Sequence, residues 1–208
     1  MKLVLVRHGR PDENDPQRPH DPPLNADGWR QAHAVARLLS NEGITRVVSS
    51  PLLRAHQTAQ PLAQRLGLAI DVIDGWAEAD RHTARYRSTE TLRAQGSAEW
   101  QRFLADPVRY VGGDPEHFRA SVVAALRAVL QGGQSDHRVV VFTHGLPINL
   151  VLSHALGLQG IVHFHPGYGS VTRLRALPPA AGATGLPRLG VVSVNESGHH
   201  AWPEAVTT

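Results

Sequence analysis

Two histidines in this sequence each follow a short apolar run and precede a glycine. Arg7-His8-Gly9 comes after residues 3–6, and His144-Gly145 comes shortly after residues 139–142. Short apolar runs of this kind are typical of central strands in α/β sheets, and such sheets bind ligands beyond the carboxyl ends of their strands. If the two strands are neighbours, both imidazoles lie at one rim. A glycine after each histidine lets the backbone approach a ligand closely.

Arginines and carboxylates are predicted to reach the same rim. Arg54 lies in the first turn of the helix after the second strand, and Glu78 and Asp80 follow the third strand. Arg7 and Arg54 can clamp a tetrahedral dianion with forked hydrogen bonds. One histidine can attack phosphorus as a neutral imidazole, while the other, protonated, stabilises the equatorial oxygens. A carboxyl group can protonate the leaving oxygen and later activate water, so the set indicates phosphoryl transfer.

Alternating strand and helix signals position these residues. We predict strands at 2–6, 46–48, 68–73 and 138–142, and near 168–176 and 188–195, with a turn over 178–187. We predict helices from an Asn25 cap to Gly43, from a Ser50 cap with Pro51 at the first position, around 89–105, over 115–131, and from Pro147. This alternation favours an α/β sheet with helices on both faces. Residues 1–208 are interpreted as one domain with a short substrate-covering insertion at about 81–113.

Composition narrows the function further. The 208 residues carry a net charge of +3 and contain no cysteine, which excludes disulfides, thiolate nucleophiles and cysteine zinc sites. No apolar stretch reaches the roughly 18 residues of a membrane span, and no basic run suggests nucleic acid. The pairs His163/His165 and His199/His200 do not make a metal site by themselves. We therefore expect a cytoplasmic protein without membrane, nucleic-acid, metal or cofactor partners, and the oligomeric state stays open, a dimer included.

Several segments, in order along the chain, carry a family resemblance. Arg7-His8-Gly9 is an RHG motif, and residues 24–32 (LNADGWRQA) resemble a family segment of pattern L-T-x-x-G-x-x-Q-A. Residues 49–59 (SSPLLRAHQTA) are close to S-S-x-L-x-R-A-x-Q-T-A, residues 112–114 partly match G-G-E-S, and residues 143–145 match the second histidine motif. The sequence resembles the histidine phosphatase superfamily, whose fold is phosphoglycerate mutase-like.

The resemblance implies a three-layer α/β/α sandwich with a mostly parallel central sheet. It implies that His8 is the nucleophile that becomes phosphohistidine and that Glu78 is the proton donor. The phosphoryl group is then held by a set of polar residues: Arg7, Asn14, Arg54, His144 and Gly145. Two departures are present, because Pro11 stands where many relatives have Ser or Thr, and Ala79-Asp80-Arg81 replaces a G-x-W-E-G run, which makes Asp80 a rival acid.

The implied activity is that of a metal-independent phosphatase acting on a small phosphorylated metabolite, a phosphomonoester. Two alternatives stay open. One is a mutase of the phosphoglycerate type, which moves phosphate between positions on a sugar acid. The other is a non-catalytic member of the fold that binds a phosphorylated ligand.

Overall fold

A six-stranded mixed sheet forms the centre of the protein. The computed structural model describes residues 1–131, 136–177, 186 and 188–201. The strands are β1 (Lys2–Arg7), β2 (Arg46–Ser49), β3 (Ile70–Val72), β4 (Arg138–Thr143), β5 (Val171–Ala176) and β6 (Leu189–Glu196). Their order in the sheet is β3-β2-β4-β1-β5-β6. Strands β1 to β4 run parallel to one another, whereas β5 pairs antiparallel with β1, and β6 pairs antiparallel with β5 at the edge.

Helices cover both faces of this sheet. They are α1 (Ala26–Leu39), α2 (Leu53–Leu66), α3 (Thr89–Ala94), α4 (Ser97–Ala105), α5 (Pro107–Tyr110), α6 (Pro115–Leu130) and α7 (Gly145–Leu156). Successive residues of a strand point to opposite faces, so Val4 and Val6 pack with α1 and α2, whereas Leu3 and Leu5 pack with α6 and α7. The predicted three-layer α/β/α sandwich is confirmed.

The two strands that precede the histidines are direct neighbours. β1 and β4 run parallel in a register that places Arg7 opposite Thr143. The pairing continues one residue further, since the backbone N–H of His8 donates to the carbonyl of Thr143 over 2.9 Å. The condition under which both imidazoles lie at one rim, that the two strands are neighbours, is therefore met.

Two predicted helices differ from those in the structure. The single helix predicted around 89–105 is wrong, because it is broken into α3 and α4 at Gly96, whose φ of 124° lies outside the helical region. The Ser50 cap is also wrong, since α2 begins at Leu53, whose backbone N–H donates to the Asp21 carboxylate over 2.9 Å. Ser50 is thereby left free to contact the site.

Smaller differences concern the element ends. Helix α1 ends at Leu39, four residues before the predicted Gly43, which lies in the following turn with φ of 67°. Helix α7 begins at Gly145 rather than Pro147. Apart from residue 186, the predicted turn over 178–187 lies outside the described residues. Among the helices described, none has the length and apolarity needed to cross a membrane.

A close backbone contact fixes the loop after β1. A Cβ placed on Gly9 would come within 2.5 Å of the Gly28 carbonyl oxygen, and one on Gly28 within 2.2 Å of the Arg10 carbonyl oxygen. The absent side chain of Gly9 therefore admits the start of helix α1. The contact holds the backbone that follows His8 against the start of α1.

We expect Gly28→Ala to destabilise the protein. Alanine favours a helix over glycine by about 1 kcal/mol, but a steric clash with backbone of this kind costs about 1–3 kcal/mol or more. Urea denaturation measures the free energy of unfolding. Gly198→Ala is the matched control, because no atom lies within 4 Å of its added Cβ. A Gly28 variant as stable as the control would contradict this packing.

Candidate active site

His8 is held in the orientation and charge state of a nucleophile. Its Nδ1 lies 2.8 Å from the Gly9 carbonyl oxygen, and a carbonyl only accepts, so Nδ1 carries the hydrogen. Burial, together with the charges of Arg54 and Arg7, holds the pKa of His8 well below its usual range. The ring is therefore neutral, with its free lone pair on Nε2.

His144 lies directly beside His8. The two ring centroids are 5.0 Å apart, and Nε2 of His144 is 2.8 Å from the Ser50 hydroxyl oxygen. Ser50 accepts from the Leu52 backbone N–H and can donate its own proton to Nε2, which leaves Nδ1 as the N–H donor. Burial, then Arg54 and His8, holds the pKa of His144 well below its usual range. The expectation of a protonated second histidine therefore does not hold for the free site.

Arg54 occupies the first turn of α2, as predicted, with a fully buried side chain. Its Nη2 donates to Asp80 over 3.1 Å, and its Nη1 forms an ion pair with Asp21 at 3.5 Å. Its Cζ lies 4.4 Å from the ring centroid of Tyr86. Within the described part of the chain, Nε and Nη1 have no hydrogen-bond partner. Because a buried donor without a partner is costly, these N–H groups favour an anion beside them.

Arg7 is the second buried cation of the site. Its Nη1 donates to Glu90 and to the Pro166 carbonyl, each over 2.7 Å, and its Nη2 donates to the other Glu90 oxygen over 3.1 Å. The Tyr168 ring centroid lies 4.1 Å from its Cζ. Its Nε is buried and lacks a partner among the residues described.

The two candidate acids occupy different environments. The Glu78 carboxylate accepts from the backbone N–H of Ala79 over 3.0 Å and of Leu146, in the first turn of α7, over 3.1 Å. Burial, then the nearby Asp80, raises the pKa of Glu78 to about 7. Burial also raises the pKa of Asp80, although Arg54 opposes this shift. Glu78 can thus carry a proton near neutral pH, whereas Asp80 is bonded to Arg54.

One cavity connects most of these groups. Five of the predicted site residues line it: Arg7, His8, Arg54, Glu78 and Gly145. It encloses about 120 Å³, somewhat less than an apolar cavity of about 150 Å³ that holds benzene. A further part of its wall is apolar and aromatic and is formed by Leu92, Trp100, Phe103, Val111 and Phe164. Three basic side chains also line the cavity: Arg87, Arg93 and His165.

The remaining two predicted residues do not line the cavity. His144 is fully buried and belongs to the site through its contact with the His8 ring. Asn14 is exposed in the loop after β1, where it lines a separate surface groove with Arg10 and Arg85, so the structure does not bring it to the cluster. Trp100 stacks on Phe103 at 5.4 Å and also lines the cavity.

Sequence reasoning missed four contributors. Ser50 was read as a helix cap, and Tyr86, Glu90 and Tyr168 were not singled out. Only Ser50 belongs to a matched motif, so its position beside the second histidine could have been suspected. The other three reach Arg54 or Arg7 from segments far away in sequence, and no local pattern marks them.

The histidine pairs have other partners. His165 lies 5.5 Å from the Trp100 ring, and the Nε2 atoms of His199 and His200 bond to the carbonyls of Gly169 and Tyr168 over 3.0 and 3.1 Å. Within the described ranges, no group of three His, Asp or Glu side chains is arranged to hold a metal ion.

Comparison with known proteins identifies the family. Residues 3–179 match the model of the histidine phosphatase superfamily, branch 1. A Proteus mirabilis (strain HI4320) protein named probable phosphoglycerate mutase GpmB is 33% identical over 165 residues, which cover 76% of each chain. The chain belongs to the histidine phosphatase superfamily.

Solved structures share the fold. A mycobacterial glucosyl-3-phosphoglycerate phosphatase in complex with VO3 is 23% identical, with a TM-score of 0.73 over 94% of this chain and 99% of that one. An Entamoeba histolytica phosphoserine phosphatase with phosphoserine is 22% identical, with a TM-score of 0.67 over 95% and 98%. The phosphoglycerate mutase-like architecture is thereby confirmed.

We expect Glu78 to make stability depend on pH. Its pKa is raised from 4.5 to about 7 on folding, so its contribution to stability is fully present below pH 4.5 and is lost as the pH rises through 7. At 1.36 kcal/mol per pKa unit, the loss between pH 5 and 8 is about 2–3 kcal/mol.

Urea denaturation of wild type and Glu78→Gln at several pH values measures this loss as the difference between the two curves. Glu116→Gln, an exposed carboxylate on α6, is the control. Parallel curves for wild type and Glu78→Gln would show that Glu78 keeps an ordinary pKa.

Proposed function

We propose that this protein is a metal-independent phosphatase that hydrolyses a small phosphomonoester through a phosphohistidine on His8. The observation that carries the proposal is the neutral His8 ring, with its lone pair on Nε2, beside two buried arginines that have unpartnered N–H groups. Such an arrangement supplies a nucleophile and the charge that stabilises a phosphoryl group in transfer. The cytoplasmic location and the substrate-covering role of residues 81–113 belong to the same proposal.

The first step forms the phosphoenzyme. Nε2 of His8 attacks phosphorus in line with the leaving oxygen, the N–P bond forms, and the P–O bond breaks. Glu78 gives its proton to the leaving alkoxide, as its raised pKa allows. Arg7, Arg54 and the Nδ1 hydrogen of His144 hold the phosphoryl oxygens, and Asp80 orients Arg54.

The second step releases phosphate. The ionised Glu78 takes a proton from water, whose oxygen attacks phosphorus while the N–P bond breaks and its electron pair returns to Nε2. Inorganic phosphate leaves, and Glu78 is again protonated. The apolar wall of the cavity, with Arg87 and Arg93 at its side, suits a small leaving group that combines an apolar body with an anionic substituent.

We expect His8→Ala to abolish hydrolysis of p-nitrophenyl phosphate in excess chelator, with kcat at least about a thousandfold lower because no covalent intermediate can form. Rapid quench of wild type in alkaline detergent should trap a phosphoenzyme that is stable in base and labile in acid. His33→Ala, an exposed histidine on α1, is the matched control and should keep wild-type turnover. Full turnover by His8→Ala would overturn the proposal.

The choice of Glu78 over Asp80 as the acid has its own test. An alkyl phosphate needs its leaving oxygen protonated, whereas nitrophenolate leaves as a stable anion. We expect Glu78→Gln to lower kcat/KM, which reports formation of the phosphoenzyme, about 100-fold or more on an alkyl phosphate and about tenfold or less on p-nitrophenyl phosphate. Asp80→Asn should lower both rates by similar factors, since it acts through Arg54. The reverse pattern would make Asp80 the acid.

A second candidate is a phosphoglycerate mutase, which the name of the Proteus mirabilis relative favours. A mutase returns the phosphoryl group to a second position of the same acid, whereas a phosphatase transfers it to water. Incubation with 3-phosphoglycerate and a bisphosphate primer separates the two, because a mutase accumulates 2-phosphoglycerate and a phosphatase accumulates inorganic phosphate.

A further inference from the structure

Glu90 connects residues 81–113, several of which line the cavity, to the guanidinium of Arg7. It lies in the first turn of α3, where the helix dipole stabilises negative charge, and it accepts from the Thr89 hydroxyl over 3.0 Å. Helix α3 is anchored to the loop after β1, since the Thr91 hydroxyl donates to Glu13 over 3.0 Å. The position of the Glu90 carboxylate is therefore set by helix α3 together with the loop after β1 that anchors it.

The hydrogen bonds of Arg7 leave one edge of its guanidinium free. Of its five N–H groups, two on Nη1 are taken by Glu90 and Pro166, and one on Nη2 is taken by Glu90. The remaining two are the Nε hydrogen and the second Nη2 hydrogen, which lie side by side on one edge. Such an edge matches two oxygens of a phosphoryl group.

The burial of the two partners differs. The Arg7 side chain is 6% exposed and that of Glu90 is 49% exposed. Partial burial raises the pKa of Glu90, but hydrogen bonds and charge from Arg7 outweigh it and lower the pKa to about 2. The carboxylate is thus ionised throughout the range in which the enzyme would work, and it can be replaced without opening a hole in the core.

We propose that Glu90 is a positioning residue: its carboxylate fixes the guanidinium of Arg7 by one edge so that the Nε edge is presented to the phosphoryl group. This inference rests on the proposed function, because it assigns Glu90 to the same site. It makes α3 part of the phosphate-binding machinery, although Glu90 itself does not touch the reacting atoms.

The test measures binding of inorganic phosphate by calorimetry and inhibition by orthovanadate. Loss of a charged hydrogen-bonding partner is expected to raise the phosphate Kd of Glu90→Gln about tenfold, with a parallel rise in KM for p-nitrophenyl phosphate. Glu99→Gln is the matched control, since Glu99 lies on neighbouring α4 and bonds only Arg102 and Tyr110 among the side chains described. It should bind phosphate as wild type does.

A double-mutant cycle separates positioning from a structural role. In the Arg7→Ala background, Glu90→Gln should change the Kd less than about twofold, because the guanidinium it positions is gone. Equal losses in both backgrounds would overturn the proposal. Tighter phosphate binding by Glu90→Gln would also overturn it, since the carboxylate would then compete with the ligand for Arg7.

Failure of this inference differs from failure of the proposed function. If phosphate binding depends on Glu90 through Arg7 but wild type has no turnover, the phosphatase proposal fails and the positioning role stands. If turnover depends on His8 but the cycle shows no coupling, only the positioning role fails. A wild type that binds neither phosphate nor vanadate overturns both.

Discussion

The parallel pairing of β1 and β4 is the constraint on which the site depends. In this register Arg7 lies opposite Thr143, and the next residue of each strand is a histidine. Parallel strands end at the same rim, so the pairing alone brings the two rings to 5.0 Å. A shift by one residue would turn one of the side chains to the other face of the sheet. Such a shift would exchange side chains between two separately packed cores, because Leu3, Leu5, Val139 and Val141 pack on one face and Val4, Val6, Val140 and Phe142 on the other.

Burying two arginines at this rim imposes a second requirement. A buried cation is costly unless it is paired and hydrogen-bonded, and both guanidinium groups lie within the low-dielectric interior. Arg54 is compensated by Asp80 and Asp21, and Arg7 by Glu90. The same carboxylates use only part of each guanidinium. The N–H groups without a partner among the described residues are the ones that we propose hold the phosphoryl oxygens.

Local pattern predicted most of the frame. Apolar alternation and helical spacing were enough for a sheet with helices on both faces and for the place of Arg54, and the order of motifs led to the family and its three-layer sandwich. Local pattern failed where a distant group decided the outcome. Helix α2 begins at Leu53 because Asp21 holds its N–H, and the 89–105 helix breaks at Gly96. Asn14 matched a spacing, yet its loop turns it to the surface.

The contacts that sequence reasoning missed share a physical origin. Tyr86, Glu90 and Tyr168 contact the arginines from positions 32, 83 and 161 residues away along the chain. These contacts form only when the distant segments have folded against the strand ends. Their local sequence signals ordinary surface positions. In the mechanism we propose, the reacting side chains lie at strand ends, whereas the side chains that contact the arginines come from distant segments: Tyr86 and Glu90 between β3 and α6, and Tyr168 between α7 and β5. Under the positioning role proposed for Glu90, changes between β3 and α6 would alter phosphate binding without altering His8.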